Sequence, residues 1–144
     1  MINASASRIA VALSAVLFAA LSFSSAANAQ TVSVDLKGAS EVPANNSTAS
    51  GTGSISVAAD KSVSGKITTT GIEGKMAHIH TGAAGANGPV LVGLTKDGDN
   101  GWTVPAGAKF TDEQYAAYLA GGLYVNVHTA AHPGGEIRGQ LLPK

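Results

Sequence analysis

The chain reads as all-β: a Greek-key antiparallel β-sandwich or barrel of about seven or eight short strands, with one short helix near residues 111–120. Three observations predict this. Short runs rich in Val, Ile and Thr alternate apolar with polar side chains. Turn residues punctuate those runs, and 18 of the 144 residues are glycine. Only 12% of the residues are charged, which suits a compact β-protein better than the solvated faces of a helical bundle.

The first 29 residues stand outside that pattern. Arg8 precedes an apolar run, Ile9–Phe23, interrupted only by Ser14 and Ser22, and Ala27-Asn28-Ala29 fits the small-x-small rule of signal peptidase. A signal peptide over residues 1–29, cleaved before Gln30, is expected, and with it a periplasmic or secreted bacterial protein. An uncleaved anchor is the alternative, but the run is shorter than the ~20 residues of a membrane span. Residues 30–144 then make one domain, long enough to bury roughly two-thirds of its unfolded surface. The chain has no cysteine, so neither disulfides nor thiolate ligands enter. With Arg8 set aside, 8 basic side chains face 9 acidic ones. That balance offers no basic patch, and neither nucleic acid nor a membrane surface is expected as a partner.

From Gln30 the elements follow in order. Thr31–Leu36 puts Val32, Val34 and Leu36 on one strand face. Gly38–Asn46 is a loop. Gly51–Ala58 and Ser62–Thr70 are strands joined by a turn at Asp60-Lys61, so the opening third is a β-meander with one apolar face. Met76–His80 and Val90–Leu94 are strands around the small-residue loop Gly82–Pro89, and Asp97–Gly101 is a turn. Asp97 and Asp99 are too few oxygen donors for a calcium loop. Thr111 with Gln114 approximates a capping box, Phe110 and Tyr115 a hydrophobic staple, and Asp112 and Glu113 suit the positive end of a helix. Tyr115, Tyr118 and Leu119 form its apolar stripe, and Gly121-Gly122 stops it. Leu123–His128 and Glu136–Leu142 are the closing strands, with Gly139 marking a bulge or a close backbone approach.

Histidine is used four times, in two short segments: His78 and His80 in one, His128 and His132 in the other. Residues two apart on a strand share a face, so two imidazoles can converge on one ion. Imidazole suits copper, zinc, iron and nickel. His78, His80 and His128 are therefore candidate metal ligands, with His132, in a loop, a weaker fourth. The alternative is that His78 and His128 are cross-strand neighbours bonded to loop carbonyls, in a purely structural domain without metal. Glu136 and Arg138 share a strand face. They form a salt bridge or loop clamp, or else Glu136 accepts a bond from a ligand histidine while Arg138 guides an anion. Glu41 is expected to hold its own loop. No Ser-His-Asp order, phosphate-binding loop or paired-carboxylate cleft supports a hydrolase, kinase or glycosidase.

Five segments resemble the CHRD domain family: Leu36–Pro43, Ala77–His80, Asn87–Val90, Tyr124–Thr129 and Pro133–Leu141. They run in family order across nearly all of residues 30–144. A fainter resemblance is to copper–zinc superoxide dismutases, Greek-key barrels with a His-x-His pair and a later strand histidine. That likeness implies copper on His78, His80 and His128, zinc being the alternative, with Arg138 drawing in superoxide. The chain departs from it in lacking the cysteine pair, a bridging histidine and a zinc loop. Two functions follow from the resemblances: redox catalysis at copper, or a non-catalytic module that stores copper or binds a protein partner, as chordin's repeats sit in a protein that works by binding.

Overall fold

A computed structural model describes residues 28–144; the expected signal peptide lies, but for Asn28 and Ala29, outside the described residues. Nine strands are present among them: β1 (Gln30–Lys37), β2 (Ser50–Val57), β3 (Val63–Thr70), β4 (Met76–Thr81), β5 (Val90–Gly93), β6 (Thr95–Asp97), β7 (Gly101–Thr103), β8 (Leu123–His128) and β9 (Ile137–Leu141), with one helix, α1 (Asp112–Leu119). They build one antiparallel sheet in the order β5-β4-β8-β9-β1-β2-β3-β7-β6. β3 pairs with β7 while β4 pairs with β8, so the connections cross over in Greek-key fashion rather than forming a simple meander.

The two edges of the sheet, β5 and β6, are separated in the chain by Leu94 alone. One bent segment thus pairs with β4 through its first half and with β7 through its second. The sheet curls into a nearly closed barrel, and Leu94 donates its N–H to Ala77 O at 2.9 Å where the segment switches partners. That bend adds β6 to the expected strands, and the short β7 beyond the turn brings the count to nine rather than seven or eight. β6 and β7, three residues each, are too short to show alternation and read only as the flanks of the Asp97–Gly101 turn.

Alternation places the core as expected on β1, where Val32, Val34 and Leu36 are buried and the residues between them are exposed. β1, β2 and β3 pair in unbroken register, Gln30↔Val57 through Lys37↔Ser50 and Ser50↔Thr70 through Val57↔Val63. Asp60 Oδ1 accepts the Ser62 N–H at 3.0 Å in the turn between β2 and β3. Trp102 is in the core, paired with Ile67.

The capping box of α1 is formed: Gln114 N–H donates to Thr111 Oγ1 at 3.2 Å, and Thr111 N–H to Gln114 Oε1 at 2.9 Å. Its apolar stripe is narrower than the sequence suggests. Tyr118 is fully buried, packs near Phe110, and donates its hydroxyl proton to Gln30 O at 3.0 Å, whereas Leu119 is 50% exposed. Two helical turns present too little surface to bury a wider face. The helix instead covers the barrel where β1 begins.

β8 departs from simple alternation, since all six of its residues are buried. Leu123, Val125 and Val127 join the core. Tyr124, Asn126 and His128 point outward, beneath loops that run over β4, β8 and β9. Glu136, expected as the first residue of the last strand, lies just before it. Gly139 is a close backbone approach: a Cβ there would stand 2.5 Å from Asp35 O and from Val34 Cγ2. Among the described residues no helix is long and apolar enough to cross a membrane. Gly139→Ala is expected to cost roughly 1–3 kcal/mol through overpacking against β1, read as a lower urea midpoint.

Candidate metal centre

The site is built by the β4–β8 pairing. Met76 faces His128, His78 faces Asn126 and His80 faces Tyr124, in register through Thr81↔Leu123. Ala77 and Ile79 on β4, like Val125 and Val127 on β8, fill the core, so the three histidines share the outer face. On the other side of β4 the register with β5 shifts between Ile79 and His80, where Leu91 of β5 is the extra residue of a bulge beside His80. The rings converge. Centroids of His78 and His128 are 4.8 Å apart, of His78 and His80 5.5 Å, and of His80 and His128 6.1 Å. One ring nitrogen from each lies within 4.8 Å of the others.

Backbone carbonyls set the tautomers. His128 Nδ1 stands 2.9 Å from Pro133 O, and His80 Nδ1 stands 3.0 Å from Gly88 O. A carbonyl only accepts, so each Nδ1 carries the proton and each Nε2 presents a lone pair. The His128 lone pair meets His78 Nδ1 at 3.0 Å, where the His78 Nδ1–H donates to it. His80 Nε2 is buried without any partner. Leaving a buried polar atom unsatisfied costs about 1–3 kcal/mol, and a cation held between the rings would take up that lone pair. Bonds of 2.0–2.1 Å place tetrahedral ligand nitrogens about 3.3 Å apart. That separation falls between the 3.0 Å of the closest pair and the 4.8 Å limit of the set. The three histidines fit a metal ion.

Electrostatics favour the neutral, metal-binding form of His78 and His128. Burial, then His128, then His80 hold His78 below the ordinary histidine value. Burial also lowers His128, against the Pro133 carbonyl that favours its charged form.

A stack supports His80. Tyr124 lies parallel to its ring, 4.8 Å between centroids and 3° between planes, and the Arg138 guanidinium sits 3.4 Å over the Tyr124 ring. Arg138 is 1% exposed, and its Nη2 donates to Ala83 O and Ala86 O, both at 2.9 Å. It is a clamp on the loop whose Gly88 carbonyl orients His80, and it does not present a cation to solvent as an anion guide would. Glu136 is likewise engaged elsewhere. Its carboxylate accepts from Ser47 Oγ and Thr129 Oγ1, each at 2.6 Å, and these bonds hold its carboxyl below the usual range. The acceptor for His128 is the Pro133 carbonyl instead, the Glu136 carboxylate being taken up by Ser47 and Thr129. His132 is not in the cluster; it lines a separate cleft with Glu41–Asn45. Glu41 is buried near Arg138 and Asn126, its carboxyl raised chiefly by burial, and its Oε1 has no partner. Sequence reasoning missed Tyr124 and the two carbonyls, which carry no side-chain signature.

The family model of the CHRD domain matches residues 32–141. The chain belongs to the CHRD domain family. No curated protein and no solved structure matches it. In this CHRD domain the segments that carry the resemblance meet at one place. Ala77–His80 and Tyr124–Thr129 bring the three histidines, Asn87–Val90 the Gly88 carbonyl, and Pro133–Leu141 the Pro133 carbonyl and Arg138.

Lowered histidine values mean that the folded protein binds fewer protons than the unfolded chain as pH falls from the ordinary value of about 6.5. The stability they contribute is present above that pH and is lost as pH drops through the folded-state values. The metal-free domain is therefore expected to lose urea resistance between pH 7 and pH 5. The double variant His78→Gln/His128→Gln should lose less. The comparison separates the histidines from Glu41, whose raised carboxyl acts in the opposite sense.

Proposed function

We propose that this CHRD domain is an exported metalloprotein that holds one transition-metal ion, copper in preference to zinc, on His78, His80 and His128. The observation that carries this is the pair of carbonyl-fixed tautomers, which leave the Nε2 atoms of His80 and His128 facing the cluster, the first of them with no partner. Copper is preferred because imidazole sites bind Cu(II) most tightly among the divalent first-row ions. Export rests on the sequence of residues 1–29 alone.

Three protein ligands leave a coordination position for a small molecule, and the partly exposed His78 lies on the accessible side. A superoxide dismutase-like redox activity follows, in which bound copper would supply the one-electron exchange. The chain's own residues do the rest. Gly88 and Pro133 fix the ring protons, the loops keep two of the rings dry, and Tyr124 with Arg138 holds His80 in place. A second function, copper storage or partner binding without turnover, is favoured by the burial of Arg138, which removes the anion guide that the dismutase likeness implies.

Calorimetric titration of the purified chain is expected to show one copper ion bound. His80→Ala or His128→Ala should weaken it beyond the roughly 10–100-fold typical of changes around a ligand. Unchanged affinity in both variants would remove the site. A dismutation assay on the copper-loaded chain divides the two functions: accelerated superoxide loss supports the redox activity, and bound copper with no acceleration leaves storage or partner binding.

A further inference from the structure

We propose that Met76 is a fourth, thioether ligand of this centre and gives it a mode for binding copper(I). The inference rests on the three-histidine site above. Met76 lies two residues before His78 on β4, so it shares the outer face with His78 and His80. Across the sheet it is the direct partner of His128. Directly opposed residues hold their Cβ atoms about 4.5–5.5 Å apart, and the methionine sulfur stands two bonds beyond its Cβ.

Exposure is graded along that face. His80 is 7% and His128 8% exposed, His78 is intermediate, and Met76 is 51% exposed. Along β4 the cluster therefore opens towards solvent at the Met76 end, with the buried His128 facing it on β8, and there an unbranched side chain with three rotatable bonds can swing over the rings. Core packing does not account for Met76, since Ala77 and Ile79 make the interior contacts of this strand. Nor does abundance: the chain has 2 methionines, Met1 and Met76, and no cysteine, so Met76 is the only sulfur among the described residues.

Chemistry gives the position its meaning. A thioether is a soft donor that selects Cu(I), whereas imidazole accepts copper and zinc alike. Met76 thus adds affinity for the reduced ion and nothing for zinc. His78, His80 and His128 alone would serve Cu(II) or Zn(II).

The test uses the full chain and Met76→Leu, a change of similar volume at an exposed position. Each protein is titrated with Cu(I) under anaerobic conditions against a competing chelator, and separately with Zn(II). Methyl-labelled methionine gives a carbon signal that reports on the sulfur directly. The expected result is a loss of Cu(I) affinity of at least about tenfold in the variant, the lower end of effects seen even outside the ligand shell. Zn(II) affinity should be unchanged, and the Met76 methyl signal should shift as Cu(I) is added to the wild type. Equal Cu(I) affinity in the two proteins with an unmoved methyl signal would overturn the role of Met76 while leaving the three histidines standing. If the wild type takes up neither ion, the three-histidine site fails, and Met76 with it.

Discussion

The β4–β8 register is the constraint on which the site depends. Side chains on a strand alternate between faces, so a slip of one residue would send His78 and His80 into the core and turn Ile79 out. What prevents the slip is burial on the inner face, where Ala77, Ile79, Val125 and Val127 are each no more than 1% exposed. Burial of Ile79, Val125 and Val127 is worth about 1.5–3 kcal/mol each against exposure, and that of Ala77 less. The apolar face therefore fixes the chemistry of the polar one. The same inner face relies on the bent segment 90–97, which closes the barrel and adds the bulge beside His80.

A polar strand face covered by loops is costly unless its groups find partners. Most do here. Arg138 binds two loop carbonyls, Gln140 Nε2 donates to Gly82 O and Gly121 O, and two histidines donate to Gly88 and Pro133. Three of the four buried side-chain atoms left without partners, on Glu41, Asn126 and His80, belong to this same region. Unmet polar demand is thus concentrated in one place inside an otherwise well-satisfied barrel, the kind of place where functional or strained sites are expected.

Support for the centre is consequently indirect and layered. Arg138 does not touch the histidines. It stacks on Tyr124, which stacks on His80, and it clamps the loop that supplies the Gly88 carbonyl. An arginine that the sequence offers as a guide for anions is spent on holding geometry. The candidate site is thereby left to the histidines, with the exposed Met76 beside them on β4.

Much of this was legible in residue order, because alternation, capping and close approach are local properties. The all-β class, the meander of β1 to β3, the capping box at Thr111 and the tight passage at Gly139 all follow from residues a few positions apart. So does the sharing of one face by His78 and His80. What the sequence could not decide was anything requiring a partner far along the chain. Which carbonyl orients which ring, the burial of Arg138, the capture of Glu136 by Ser47 and Thr129, and the separation of His132 from the cluster depend on loops folding over a sheet face. Backbone carbonyls are identical in every residue, so only the tertiary structure could say that those of Gly88 and Pro133 aim two histidines at a common point.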